Sequence, residues 1–89
     1  MEFEFDTVKS ATNKDKHGID FVEARALWLD YGLEMVLSKA RLTSEERLLA
    51  IGRIEGKHWT AICTLRGQAI RIISVRRARK EEVEFYDGS

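Results

Sequence analysis

The sequence has no proline and a single cysteine, Cys63, so no intrachain disulfide can form. A lone thiol suits a reducing compartment, and a cytoplasmic location is expected. Histidine is also scarce. His17 and His58 lie far apart, and Cys63 is not spaced with them as a metal ligand would be. Neither a metal nor a cofactor is expected. No apolar run approaches the ~20 residues of a membrane span. The opening Met1-Glu2-Phe3-Glu4-Phe5-Asp6 is acidic where a secretory signal would be basic and then apolar. No membrane partner is expected. An excess charge of one sign is missing as well, since Lys and Arg balance Asp and Glu at 15 each. With 89 residues the chain is expected to form one domain over 1–89. Its core would be thin, which argues against a deep substrate cavity and for a surface groove or a partner.

The balanced total hides an uneven distribution. Every charged residue from Arg66 to Lys80 is basic, and every charged residue from Glu81 to Asp87 is acidic. A neutral chain can still present a positive stripe, and the local field decides phosphate binding.

Periodicity assigns the elements. Residues 2–5 alternate as a short strand. Asp6 caps a helix running to about Lys16, with Val8, Ala11 and Thr12 as its inner stripe. Gly18 ends it in a left-handed C-cap, and Lys14, Lys16 and His17 suit the negative end of its dipole. Asp20 and Glu23 form a capping box for a second helix that buries Phe21, Ala24, Leu27 and Trp28 and stops at Asp30-Tyr31-Gly32. Strands follow at Leu33–Leu37, Arg47–Ile54, His58–Leu65 and Ala69–Arg76. A polar loop separates the first two over Ser38–Glu46, and tight turns sit at Glu55-Gly56-Lys57 and Arg66-Gly67-Gln68. In the last strand, strict alternation puts Ile70, Ile72 and Ser74 on one face and Arg71, Ile73 and Val75 on the other, so Arg71 and Arg76 fall on opposite faces unless a bulge or the strand end intervenes. A short amphipathic helix runs from about Arg79 to Tyr86. The fold class is α+β: an antiparallel meander of about four strands, two N-terminal helices and a short C-terminal helix.

Three blocks carry a family resemblance. The first is Phe3-Glu4-Phe5-Asp6, then Lys9 and Asn13, then Lys16-His17-Gly18-Ile19, Phe21 and Ala24. The second is Glu46-Arg47 with Ile51-Gly52. The third is Thr64 and Arg66, then Arg71-Ile72-Ile73-Ser74 and Arg76, with Ala78, Glu81 and Tyr86 beyond. In this order and spacing the chain resembles the BrnT-type toxins of bacterial toxin–antitoxin pairs, small members of the RelE-like ribonuclease group. It departs at Phe5, where the family usually has tryptophan, at Thr7, where it has proline, and at Val75, where it has a smaller residue. The resemblance implies a RelE-like fold and a ribonuclease that cuts RNA and arrests growth. It also implies a cognate BrnA-type antitoxin that binds and silences the toxin in a hetero-oligomer, with DNA reached only through that antitoxin.

Metal-free RNA cleavage needs a base for the 2′-hydroxyl proton, a cation for the charge developing on phosphorus, and an acid for the departing 5′-oxygen. DNA lacks the internal nucleophile. An imidazole titrates near neutrality, so His17, beside a cation cluster, is the candidate for proton transfer; the plainer reading makes it a carbonyl donor at a helix end. Arg66 and Arg76 complete the candidate catalytic set, because guanidinium grips two phosphate oxygens and keeps its charge. Lys16, Arg71 and Arg77 are the candidates for holding RNA. Against this, several arginines can pair with Glu81, Glu82 and Glu84 as a surface network. Glu46 as a base and Tyr86 as a stacking platform are weaker candidates. His58, Cys63, Trp28 and Trp59 read as structural. A non-catalytic module docking an antitoxin or a ribosome surface is the alternative. A DNA-binding regulator ranks last, because the second helix carries Asp20 and Glu23 and only Arg25 as a base.

Overall fold

The computed structural model describes residues 1–38 and 46–88. Strand β1 is Glu2–Glu4 and helix α1 is Thr7–His17. Helix α2 is Phe21–Ala24, continued by a 3-10 segment over Arg25–Leu29. Strands β2 (Glu34–Leu37), β3 (Leu48–Ile54), β4 (Lys57–Arg66) and β5 (Ala69–Arg77) follow, and helix α3 (Lys80–Asp87) closes the chain. Most of the loop expected over Ser38–Glu46 lies outside the described residues.

The sheet has five strands in the order β1-β5-β4-β3-β2. Strands β2 to β5 form the expected antiparallel meander. The correction is at the edge: β1 pairs in parallel with the start of β5, Glu2 opposite Ala69 and Glu4 opposite Arg71, so the sheet is mixed. Hairpin turns specify only neighbours in sequence, and no local signal tells a first strand to join the last. The turns themselves are where glycine is needed. Glu55 and Gly56 both take positive φ, 51° and 80°, which matches the twist of a two-residue hairpin.

One face of the sheet carries the core. Phe21, Ala24 and Leu27 pack on Ala50, Trp59, Ala61, Cys63, Ile70, Ile72 and Val75. The second helix was expected to run unbroken to Leu29, and instead tightens after Ala24. The tighter winding seats fully buried Leu27 against Gly52, where an added Cβ would meet Leu27 Cδ2 at 3.1 Å. Trp28, expected in the core, is only partly buried and meets the Phe3 ring edge-on at 5.1 Å.

A bulge resets the faces of β5. Cys63 pairs with Ile72 and Ile62 with Ser74, so Ile73 has no partner in β4. Val75 then joins Ile70 and Ile72 in the core, and Arg71, Ser74 and Arg76 share the opposite face. Strict alternation misplaced Ser74, Val75 and Arg76 for this reason.

Helix α1 also differs from expectation. Val8 is 73% exposed, and the residues α1 buries are polar, Ser10 and Asn13. β1 covers only the first part of the edge of β5. Asn13 serves it further along: its Nδ2 donates to the Val75 carbonyl (2.9 Å) and its Oδ1 accepts from the Val75 N–H (3.1 Å). Helix α1 therefore packs by hydrogen bonding along a free strand edge rather than by an apolar stripe.

Candidate nucleic-acid interface

The direction of α1 sets where its basic end goes. β1 runs parallel to β5, and α1 follows from it along the same edge. Asn13 sits at Val75. One helical turn, about 5.4 Å, leads from Asn13 to His17, and two strand residues, about 6.6 Å, lead from Val75 to Arg77. His17 and Lys16, both exposed, therefore end beside the C-terminal end of β5. Gly18 stops the helix at φ 82°, its N–H donating to the Lys14 carbonyl at 2.9 Å. Asn13 holds the turn that follows through the Ile19 carbonyl at 2.8 Å. Lys14 turns away to Glu23 at 2.8 Å.

Arg77 is exposed and lies on the core face at this same end. Its guanidinium carbon is 5.4 Å from the Trp59 ring centroid, and its Nε donates to the His58 carbonyl at 3.3 Å. Trp59, read as structural, thus also props a cation. Arg76, on the other face, is committed. Its Nη1 and Nη2 donate to the two Glu82 carboxylate oxygens at 2.7 and 2.9 Å. Glu82 also accepts from the Thr60 hydroxyl and the Arg79 N–H, each at 2.8 Å. Burial pushes the Glu82 carboxyl up, but Arg76, the Arg79 N–H and Thr60 outweigh it and bring it down to about 2. The same pairing raises the Arg76 guanidinium further above its usual range. The surface network anticipated among the arginines and Glu81, Glu82 and Glu84 is represented by this pair.

The remaining candidates are elsewhere. Arg71 faces Glu4 at 3.6 Å, a loose and half-buried pair. Arg66 stands across from Ala69 at the hairpin turn. Along β4 it is roughly 20 Å from Thr60, the partner of Arg76. Arg66 and Arg76 therefore do not converge on one phosphate from where the backbone holds them. The bulge instead aligns Arg66, Arg71 and Arg76 as a row on one face. Glu46 is exposed just before β3 and belongs to the Arg66 end of the sheet, because Leu48 opposes Cys63. Tyr86, expected to pack or to stack on a base, donates its hydroxyl to Asp30 at 2.7 Å.

Sequence reasoning passed over two features. His58 lies at the same end of the sheet as His17, with Tyr86 edge-on at 5.1 Å and Asp87 at 3.4 Å from its Nε2. A histidine inside a strand gave no sign of this, because its neighbours come from α3. Beneath α3 is a cavity of about 830 Å³ with Leu49, Ile51 and Ile62 among its apolar lining and Arg76, Arg79 and Glu82 among its polar lining. Period-two alternation in β3 and β4 contained that signal, but α3 covering the face did not follow from it. Cys63 is buried and its thiol is pushed up to about 11 by burial, which makes it a poor nucleophile. Among the described residues no group of His, Cys, Asp and Glu side chains is arranged to hold a metal ion, and no helix is long and apolar enough to cross a membrane.

Residues 5–82 match the model of a family described as the ribonuclease toxin BrnT of type II toxin–antitoxin systems. No curated protein matches the chain.

Proposed function

This chain belongs to the BrnT family of ribonuclease toxins from type II toxin–antitoxin systems, and we propose that it is a metal-independent endoribonuclease working at the C-terminal end of β5. The observation that supports the reading is the run of α1 along the β5 edge, pinned by Asn13 at Val75, which points the basic end of the helix toward the end of the strand that carries Arg77. In this mechanism His17 transfers the proton, the chemistry for which imidazole is suited near neutral pH. The 2′-hydroxyl gives its proton to His17 as its oxygen attacks phosphorus, the new O2′–P bond forms as the P–O5′ bond breaks, the departing 5′-oxygen takes a proton from water and leaves as a hydroxyl, and a 2′,3′-cyclic phosphate is left. Arg77, exposed and supported by Trp59, meets the charge that develops on the phosphoryl oxygens. Lys16 adds to the attracting field. Arg76, Arg71 and Arg66 hold the flanking strand along their common face, so Arg66 acts at a distance from the scissile bond.

A type II toxin has an antitoxin protein as its partner. A BrnA-type antitoxin that neutralises growth arrest, and that carries the DNA contacts of the complex, is part of the proposal. One observation favours a non-catalytic module instead: Arg71 and Arg76 already have carboxylate partners. The two readings separate in one assay. Purified protein in excess EDTA should cut an RNA oligonucleotide and spare the same oligonucleotide made with 2′-deoxyribose. Salt-sensitive binding that leaves RNA intact would favour the module, and a requirement for a divalent metal would overturn the mechanism.

A further inference from the structure

Around the Glu82 carboxylate, four donors converge. Three come from the sheet, Arg76 Nη1 and Nη2 from β5 and the Thr60 hydroxyl from β4, and the fourth is the Arg79 N–H at the N-cap of α3, where Glu82 closes the helix's own capping box, all between 2.7 and 2.9 Å. We propose that this cradle is an RNA phosphate site which the chain's own Glu82 occupies at rest, so that RNA enters by displacing Glu82 and lifting the first turns of α3.

The donors fit either anion. A guanidinium fork matches carboxylate and phosphate oxygens alike, and the hydroxyl and backbone N–H suit both. The sheet donors of the cradle are built into the body of the protein, with Thr60 fully buried and the Arg76 side chain 20% exposed. Glu82 is the buried residue of α3, while Phe85 stays 47% exposed over the cavity. The far end of α3 has separate tethers, the Tyr86 hydroxyl on Asp30 and Asp87 on His58. Release of Glu82 therefore frees the start of the helix while its end stays attached. The carboxyl titrates near 2, so it remains ionised throughout the neutral range. Entry is by exchange of one anion for another, and not by protonation. Lifting Glu82 also leaves Arg76, Arg77, Arg79 and Lys80 with one fewer local negative charge, which favours the incoming phosphate.

The choice of RNA as the ligand rests on the nuclease reading; the cradle itself rests on the geometry. The test is binding of an uncleavable 2′-O-methyl RNA oligonucleotide to the full chain, comparing Glu82→Gln with Glu81→Gln. Both changes remove one charge from the same stretch, but Glu81 is exposed and outside the cradle. Glu82→Gln should bind at least ~10-fold tighter, and Glu81→Gln no more than ~2-fold tighter. Equal gains would reduce the effect to net charge, and no gain would remove the competition; either overturns the proposal. Wild-type protein supplies a second readout that needs no variant. Amides of α3 should lose hydrogen-exchange protection when the oligonucleotide binds, and binding with unchanged protection overturns the proposal as well. Inorganic phosphate separates the two ideas. If it perturbs the Arg76 guanidinium signal in Glu82→Gln but not in Glu81→Gln, the cradle stands even where wild-type protein cuts no RNA. RNA cleavage by wild-type protein alongside equal affinities of the two variants leaves the nuclease and removes the cradle.

Discussion

Two helices flank the last strand, and they are held in opposite ways. Helix α1 is bound to that strand by neutral groups. Asn13 supplies a donor and an acceptor to the backbone of Val75, and the Ser10 hydroxyl accepts from the Phe21 N–H at 2.9 Å. Helix α3 is bound to that strand by a charge, the Glu82 carboxylate on Arg76. The difference matters because backbone groups at a buried strand edge have no other partner available, whereas a guanidinium accepts any suitable anion. The first attachment is a fixed part of the fold. The second is exchangeable. One positions the basic end of a helix, and the other regulates access to a cation.

The sharpest way to break this contrast is to remove the neutral clamp. Asn13→Leu should lower stability by about 3 kcal/mol, because it leaves the Val75 N–H and carbonyl without partners. Chemical denaturation measures this, and a loss under about 1 kcal/mol would show that α1 is not pinned there. Next in size is His17→Ala, which should reduce RNA cleavage roughly 10²-fold while leaving stability unchanged; Arg66→Ala should cost several-fold less. Equal losses in the two would contradict the separation of the hairpin ends.

The charged clamp has a pH signature. The Glu82 carboxyl lies at about 2, against an ordinary 4.5. A depressed carboxyl contributes stability that is fully present above its unfolded value and is lost as pH falls through its folded value. Glu82 should therefore contribute about 2 kcal/mol at neutral pH that fades between pH 4.5 and about 2. Acid denaturation of Glu82→Gln should lack that segment, and an identical acid limb in both proteins would sink the assignment. The smallest effect belongs to the turn after α1. Gly18 has φ 82° and open space around its missing Cβ, so Gly18→Ala meets backbone strain and no clash. It should cost about 1 kcal/mol, read as a small fall in Tm.

Much of the element layout is legible in the sequence. Asp6, Gly18 and the Asp20–Glu23 box announced the helix boundaries because capping is local chemistry. The Glu55-Gly56 and Gly67 turns fixed the meander for the same reason. What stayed hidden depended on distant partners. Nothing in Glu2–Glu4 says that it pairs with Ala69–Arg71. Nothing in the sequence around Asn13 marks the strand edge it serves, and Val8 was assigned inward by an apolar rule that edge packing does not obey. The bulge at Ile73 has no local marker, since Ile72-Ile73 reads as regular strand, yet it decides which arginines share a face. The cation cluster was legible as a composition. Its division into a β5 end and an Arg66 end was not, because that follows from register.

The central claim is that groups from α1 and β5 act on one phosphodiester, and a double-mutant cycle on RNA cleavage in excess EDTA tests it most directly. His17→Ala, Arg77→Ala and the double variant would be compared with the wild type. Two groups serving the same transition state should be strongly non-additive, with the double variant little slower than the slower single variant. Losses that multiply in full, as from two independent sites, would contradict the convergence.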